Sequence, residues 1–300
     1  MVKFRLTSES TVDLPSEYLK ERDVDVISYT YLINEEEFID DMWEREGSME
    51  EFYEKIEENL PKTSQLNVVS YVKFFEDQLE KAQGMDILHL VFGTGMTQSI
   101  NNARLAVNMV LENHPGRRIE LVDSLCSSSG FGMLLDYVCD LRDEGKTLDE
   151  AKKWAEDNRL TIHHRFYTST LDHFRRGGRI SGPAATIGSI LKICPMLMID
   201  NEGKIIAYDK VRGKKKAMLA TVKQMEDYAD NGNDYDGKCF ICHSNCLDDA
   251  KDLEAEVEKR FPKLKDKIMI CDIGPVIGSH TGPGTVSLFF KGVERKEFEK

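Results

Sequence analysis

Asp86-Ile87-Leu88-His89-Leu90-Val91-Phe92-Gly93-Thr94-Gly95-Met96-Thr97-Gln98-Ser99 decides the fold. The near-continuous apolar run 86–92 reads as a strand buried on both faces. Glycines and hydroxyl residues end it, and residues 98–112 follow with helical periodicity. The same strand, turn and helix recur on either side. Strand-like runs fall at 4–6, 119–122, 166–169, 196–199, 239–242 and 268–271. Helix-like stretches fall at 49–58, 69–82, 130–144, 148–158, 214–228 and 247–261. Such alternation predicts an α/β fold with a largely parallel sheet. A change of character near residue 160 divides it into two α/β domains, 1–160 and 161–300, with a ligand cleft between them.

The turns share a grammar. Ser8-Glu9-Ser10-Thr11-Val12-Asp13, Lys62-Thr63-Ser64-Gln65, Gly93 through Ser99, and Asp123 through Gly130 all cluster small hydroxyl residues before a helix. In open α/β sheets, ligands sit beyond the C-terminal strand ends. Helix N-termini there offer free N–H groups, and Ser or Thr adds neutral donors for an anionic group. Ser, Thr and Asp are also ordinary N-caps, which accounts for one hydroxyl per helix but not three or four. Asp13 and Asp123 read as loop braces rather than catalysts.

A second informative stretch is Gly274-Pro275-Val276-Ile277-Gly278-Ser279-His280-Thr281-Gly282-Pro283-Gly284-Thr285. Apolar runs precede and follow it, so it reads as a loop between strands. Two readings stay open: a tight connection with an incidental histidine, or a rigid loop holding His280 over a pocket.

Composition narrows the function. The chain has 300 residues, 40 basic and 53 acidic, for a net charge of −13. That balance argues against non-specific binding to nucleic acid or anionic membranes. No apolar run approaches the roughly 20 residues that span a bilayer, and the N-terminus lacks a signal-peptide pattern. A cytoplasmic protein is expected. Seven cysteines without secretory context are expected to be reduced. Cys239, Cys242, His243 and Cys246 have zinc-like spacing. Residues three apart on a strand face opposite ways, so buried structural cysteines are expected and no metal. His163 and His164 lack acidic partners at metal spacing and read as surface or structural, as do His89 and His114. Phosphate-loop, dinucleotide and nucleophile-elbow motifs are absent.

Together these segments resemble the DegV family of bacterial fatty-acid-binding proteins. Ser10-Thr11-Val12-Asp13-Leu14 is similar to its Asp-Ser-Thr-x-Asp-Leu, with Glu9 for the first Asp. Lys62-Thr63-Ser64-Gln65 resembles its Thr-Ser-Gln motif. Residues 94–99 resemble its Ser-Gly-Thr-Tyr-Gln-Ser segment, and residues 123–132 its Asp-Ser run. Residues 174–181 resemble its Gly-Gly-Arg-Ile signature, residues 212–217 its Arg-Thr-x-Lys-Lys-Ala, and residues 274–284 its glycine-rich histidine segment. Thr94 stands for a serine, Met96-Thr97 for Thr-Tyr, and Gly213 for a threonine.

The resemblance implies one long-chain fatty acid buried between two domains, with no other cofactor. Its carboxylate is implied to rest on Thr63, Ser64, Thr94 and His280, with Gly95, Ser128, Gly278 and Gly282 supporting the loops. Ile187, Ile190, Leu191, Ile193 and Met196 are candidate acyl-pocket residues. The family acts as an acyl carrier, without turnover of its own, for a separate kinase that forms an acyl phosphate. Arg179 and Arg212 are implied to engage that kinase, and a monomer is expected. Two other readings stand beside it. One is an enzyme on a small carboxylated or phosphorylated metabolite with His280 as acid or base; the other is a ligand-sensing regulator.

Overall fold

A computed structural model describes residues 4–180 and 193–295. The chain begins β1 (Phe4–Glu9), α1 (Ser16–Glu21), β2 (Val24–Ile27), β3 (Thr30–Ile33), β4 (Glu36–Ile39), α2 (Ser48–Glu58) and β5 (Lys62–Thr63). It continues α3 (Val68–Lys81), β6 (Asp86–Val91), α4 (Ser99–Asn113), β7 (Ile119–Asp123), α5 (Ser128–Asp143) and α6 (Leu148–Asn158). Then follow β8 (Ile162–Tyr167), α7 (Asp172–Arg176), β9 (Ile193–Ile199), β10 (Ile205–Arg212) and α8 (Lys214–Tyr228). The described chain closes with β11 (Cys239–His243), α9 (Leu247–Arg260), β12 (Met269–Asp272), α10 (Pro275–Thr281) and β13 (Val286–Lys291).

The first sheet has the order β2-β1-β6-β7 and every pair is parallel. Leu6 stands beside Val24 on one side and Leu88 on the other. Phe4, Leu6, Ile87, Leu88 and Leu90 are fully buried, as strands covered by helices on both faces require. This is the architecture expected of residues 86–99.

The second sheet departs from the expected parallel arrangement. Its order is β10-β9-β8-β13-β11-β12, and only the β11–β12 pair is parallel. A short turn joins β9 to β10, with Gly203 at φ +77°. A turn that short can only return the chain antiparallel, whereas a parallel pair needs a crossover. The mixed α/β class with two sheets nevertheless holds.

A third sheet, β4-β3-β5, has no counterpart in the sequence-based expectation. Its β3–β4 turn places Asn34 and Glu35 at φ +51° and +67°. The acidic run Glu35-Glu36-Glu37 is therefore a hairpin arm, mostly exposed. Its strands run only two to four residues, too short to stand out as strands in the sequence.

The histidine stretch is a helix rather than a loop. Pro275 takes the first helical position, and Gly282 at φ +64° closes α10. Proline is preset for a first turn, and a positive φ beyond the last turn ends a helix at least cost on glycine.

One core cluster joins the first sheet to one face of the second. Another covers the second sheet's opposite face. Cys242 belongs to the former and Cys239 to the latter, so the strand separates them as expected. All seven cysteines are free, and the described residues contain no cluster of three or more metal-ligating side chains. No described helix is long and apolar enough to cross a membrane.

Candidate functional site

Between the two sheets lies a cavity of about 770 Å³, its open mouth included. Phe92 at the end of β6 and Phe166, Ile199 and Phe289 on the second sheet form much of its wall, with Phe174 of α7 and Ile277 of α10. A predominantly apolar lining with a few convergent polar groups suits small organic ligands. Alternation along β9 decides which residues face it. Ile199 looks into the cavity, while Met196 packs on the opposite face with Val222 and Met225. The structure therefore moves Met196 out of the acyl-pocket set, because a shift of three residues along a strand reverses the face. Ile193 begins β9 and does not line the cavity. Ile187, Ile190 and Leu191 lie outside the described residues.

The polar mouth gathers parts far apart in the sequence. Thr63 comes from β5, Ser64 and Gln65 from the segment after it, Arg179 from the segment after α7, and His280 from α10. Thr63 Oγ1 lies 2.7 Å from His280 Nε2. His280 Nδ1 is buried and has no hydrogen-bond partner among the described residues. Burial, reinforced by Arg179 and His173, pushes the His280 pKa down to about 4. The ring is thus neutral at neutral pH. Arg179 is exposed at the rim and donates to the Gly177 carbonyl at 2.6 Å. Partial burial lowers its pKa.

Two glycines shape this mouth. A Cβ on Gly177 would stand 2.2 Å from His280 Nδ1, and one on Gly282 would stand 2.3 Å from the His173 ring. Both are closer than carbon can approach, so each histidine is seated against bare backbone. The other supporting residues are placed differently. Gly95 meets the Gly203 carbonyl, and Gly278 faces Phe52. Ser128 lines the cavity and donates to Asp13 at 2.5 Å.

Thr94 is not brought to the cavity wall. Its hydroxyl donates to Asp123 Oδ2 at 2.6 Å, and its N–H donates to Asp123 Oδ1 at 3.1 Å. Asp123 also accepts from the Leu125 N–H, so it braces two strand-end turns as expected. Asp13 does the same elsewhere: it accepts from Ser128 and from the Gly274 N–H at 3.1 Å. Burial, outweighing these hydrogen bonds, holds its carboxyl well above the usual range. Arg212 is exposed at the end of β10 and does not line the cavity.

Sequence reasoning misses several wall residues. His164, expected at the surface or in a structural role, is buried and lines the cavity as well. Its Nδ1 donates to the Ile162 carbonyl at 3.0 Å, and its Nε2 accepts the Ser127 N–H at 3.2 Å. Tyr29 lines the cavity and donates to Glu9 at 3.0 Å. Glu9 is fully buried and also accepts from Tyr71 and from the Phe92 N–H at 2.9 Å. The only sequence signal for this network is an acidic residue inside a strand end. His89 is buried against Thr7 at 2.9 Å, and His114 pairs with Glu76 at 2.5 Å; both are structural.

Comparison with known proteins gives a consistent result. The model of the family described as "Uncharacterised protein, DegV family" matches residues 3–292. A DegV domain-containing protein of Clostridium perfringens is 36% identical over 293 residues, covering 97% of this chain and 98% of its own length. Among solved structures, a fatty-acid-binding DegV family protein of Streptococcus agalactiae is 29% identical with a TM-score of 0.79, over 97% of this chain and 99% of that one. A DegV family protein of Thermus thermophilus, described by its fatty-acid binding, is 27% identical with a TM-score of 0.84, over 97% of this chain and all of that one.

Proposed function

The chain belongs to the DegV family, and from that premise we propose that it binds a long-chain fatty acid and presents the carboxylate to a separate kinase. The observation that carries the reading is an apolar cavity whose mouth holds Thr63, His280 and Arg179. Each methylene buried there contributes about 0.8 kcal/mol, so a long chain binds tightly with few polar contacts. Its carboxylate must still be hydrogen-bonded. Neutral His280 donates from Nε2 to Thr63, which frees the Thr63 hydroxyl hydrogen for the carboxylate. Ser64 and the rim guanidinium of Arg179 complete the head-group site.

Apart from Arg179, which is exposed at the rim, the donors are neutral and leave a carboxylate oxygen nucleophilic, where a buried ion pair would hold it inert. With the kinase engaged, that oxygen attacks the terminal phosphorus of a nucleoside triphosphate. An O–P bond forms, the bond to the diphosphate breaks, and an acyl phosphate results without proton transfer. Arg179 at the mouth and exposed Arg212 are the kinase contacts in this reading. The protein works as a cytoplasmic monomer without turnover of its own, its domains meeting near residue 160.

An enzyme acting on a small polar metabolite through His280 is the competing reading. The predominantly apolar wall favours the lipid. Organic extraction of freshly purified protein, followed by mass spectrometry, separates the two. A co-purifying fatty acid supports the carrier; an extract that stays empty after incubation with fatty acids overturns it.

A further inference from the structure

The cavity has polar wall beyond its mouth. Thr281 ends α10 and Thr285 precedes β13, and both line the cavity. They are only 6% and 1% exposed, whereas Ser64, Gln65 and Arg179 at the mouth are exposed. Among the described residues, neither Thr281 Oγ1 nor Thr285 Oγ1 has a hydrogen-bond partner. Buried hydroxyls are normally paired, and leaving one unpaired costs free energy.

The surroundings explain why they stay free. Thr285 uses its backbone on Ser244: its carbonyl accepts the Ser244 N–H at 3.0 Å and its N–H donates to Ser244 Oγ at 2.9 Å. Its side-chain hydroxyl takes no part in these bonds. Ser128 and Ser287 line the same cavity, and Ser128 already spends its hydrogen on Asp13. His164, also on the wall, has both ring nitrogens occupied. Thr281 and Thr285 are thus wall residues whose buried hydroxyls have no partner among the described residues.

We propose that Thr281 and Thr285 form a second polar subsite that binds a hydroxyl group carried on the acyl chain, making this protein selective for hydroxylated fatty acids. The inference rests on the fatty-acid reading of the cavity and adds the class of acid. A plain methylene chain leaves both hydroxyls unpaired, while a hydroxyl of the chain both donates to and accepts from them. One recovered hydrogen bond predicts a preference of about fivefold to tenfold.

The test is competition, read by native mass spectrometry, between stearic acid and monohydroxystearic acids bearing the hydroxyl near the head, middle or tail. Wild type and Thr285→Val are compared, with Thr281→Val as a second variant. The expected result is that one hydroxy acid outcompetes stearate on the wild type, and that Thr285→Val reverses the order by binding stearate more tightly. The free Thr285→Val protein also melts no lower than wild type, since the hydroxyl it loses has no partner. Stearate bound with no preference for any hydroxy acid overturns this inference alone. Binding of neither class overturns the fatty-acid reading and this inference with it.

Discussion

Gly177 and His280 are packed so closely that a single methyl group on Gly177 would stand 2.2 Å from His280 Nδ1. The short helix α10 and the turn after α7 thus fit together only while residue 177 has no side chain. The contact fixes the imidazole with Nε2 toward Thr63, 2.7 Å away. In the proposed carrier, the first glycine of the Gly-Gly-Arg-Ile segment acts on the head group through the histidine.

Gly177→Ala should displace the ring and weaken fatty-acid binding about tenfold or more. Overpacking of this kind costs about 1–3 kcal/mol. Titration with a fluorescent fatty acid measures the affinity, and the His280 ring resonances report the displacement. Unchanged affinity and resonances in Gly177→Ala contradict the assigned contact.

Thr94 and Thr63 should behave oppositely. Thr94→Val removes hydrogen bonding to Asp123 and should cost about 1–2 kcal/mol of stability, with fatty-acid affinity retained. Thr63→Val removes the hydroxyl beside His280 and should lower affinity with little change in stability. Denaturant unfolding and ligand titration on the same two variants check the pair. Loss of affinity in Thr94→Val with normal stability would return Thr94 to the head-group site.

Asp40 makes stability depend on pH. Burial pushes its carboxyl up to about 6, against hydrogen bonds from Ser10 and Met42 that pull it down. The folded state therefore holds a proton that the unfolded state releases near pH 4. The associated stability is full below the unfolded pKa and is lost as pH rises through the folded one. Asp40→Asn should remove this dependence, gaining stability relative to wild type between roughly pH 4 and 6 by up to about 3 kcal/mol. Urea unfolding of both proteins across that window tests it; parallel curves reject the buried-carboxyl account.

Arg179 and Arg212 should separate by function. Arg179 lines the cavity mouth and Arg212 does not. Arg179→Ala should weaken fatty-acid binding a fewfold, whereas Arg212→Ala should leave binding intact and reduce only phosphorylation of the bound acid. A full loss of ligand affinity in Arg212→Ala contradicts this division.

Residues 86–99 made the first sheet legible, because a strand buried on both faces is apolar throughout. The hydroxyl-rich turns likewise announced Thr63, Ser64 and Ser128 on the cavity wall. Other parts lay beyond local pattern. The strands β3 and β4 are four residues each, and β4 has no buried position at all, so neither is long enough to stand out in the sequence. The helix α10 was hidden by its glycines and prolines: Gly274, Pro275 and Gly282 cap it, and interior Gly278 is tolerated. His164 looked unpartnered because its partners, Ile162 and Ser127, are backbone groups. Thr94 carried the right motif, but Asp123 draws its hydroxyl away. No spacing rule reveals which of two acceptors a threonine will choose.

The most direct measurement is native mass spectrometry of freshly purified protein beside His280→Ala and Thr63→Val. The account predicts an added mass equal to one fatty acid on the wild type, diminished in both variants. A wild-type protein that carries no added mass, and takes none up when incubated with fatty acids, would contradict it.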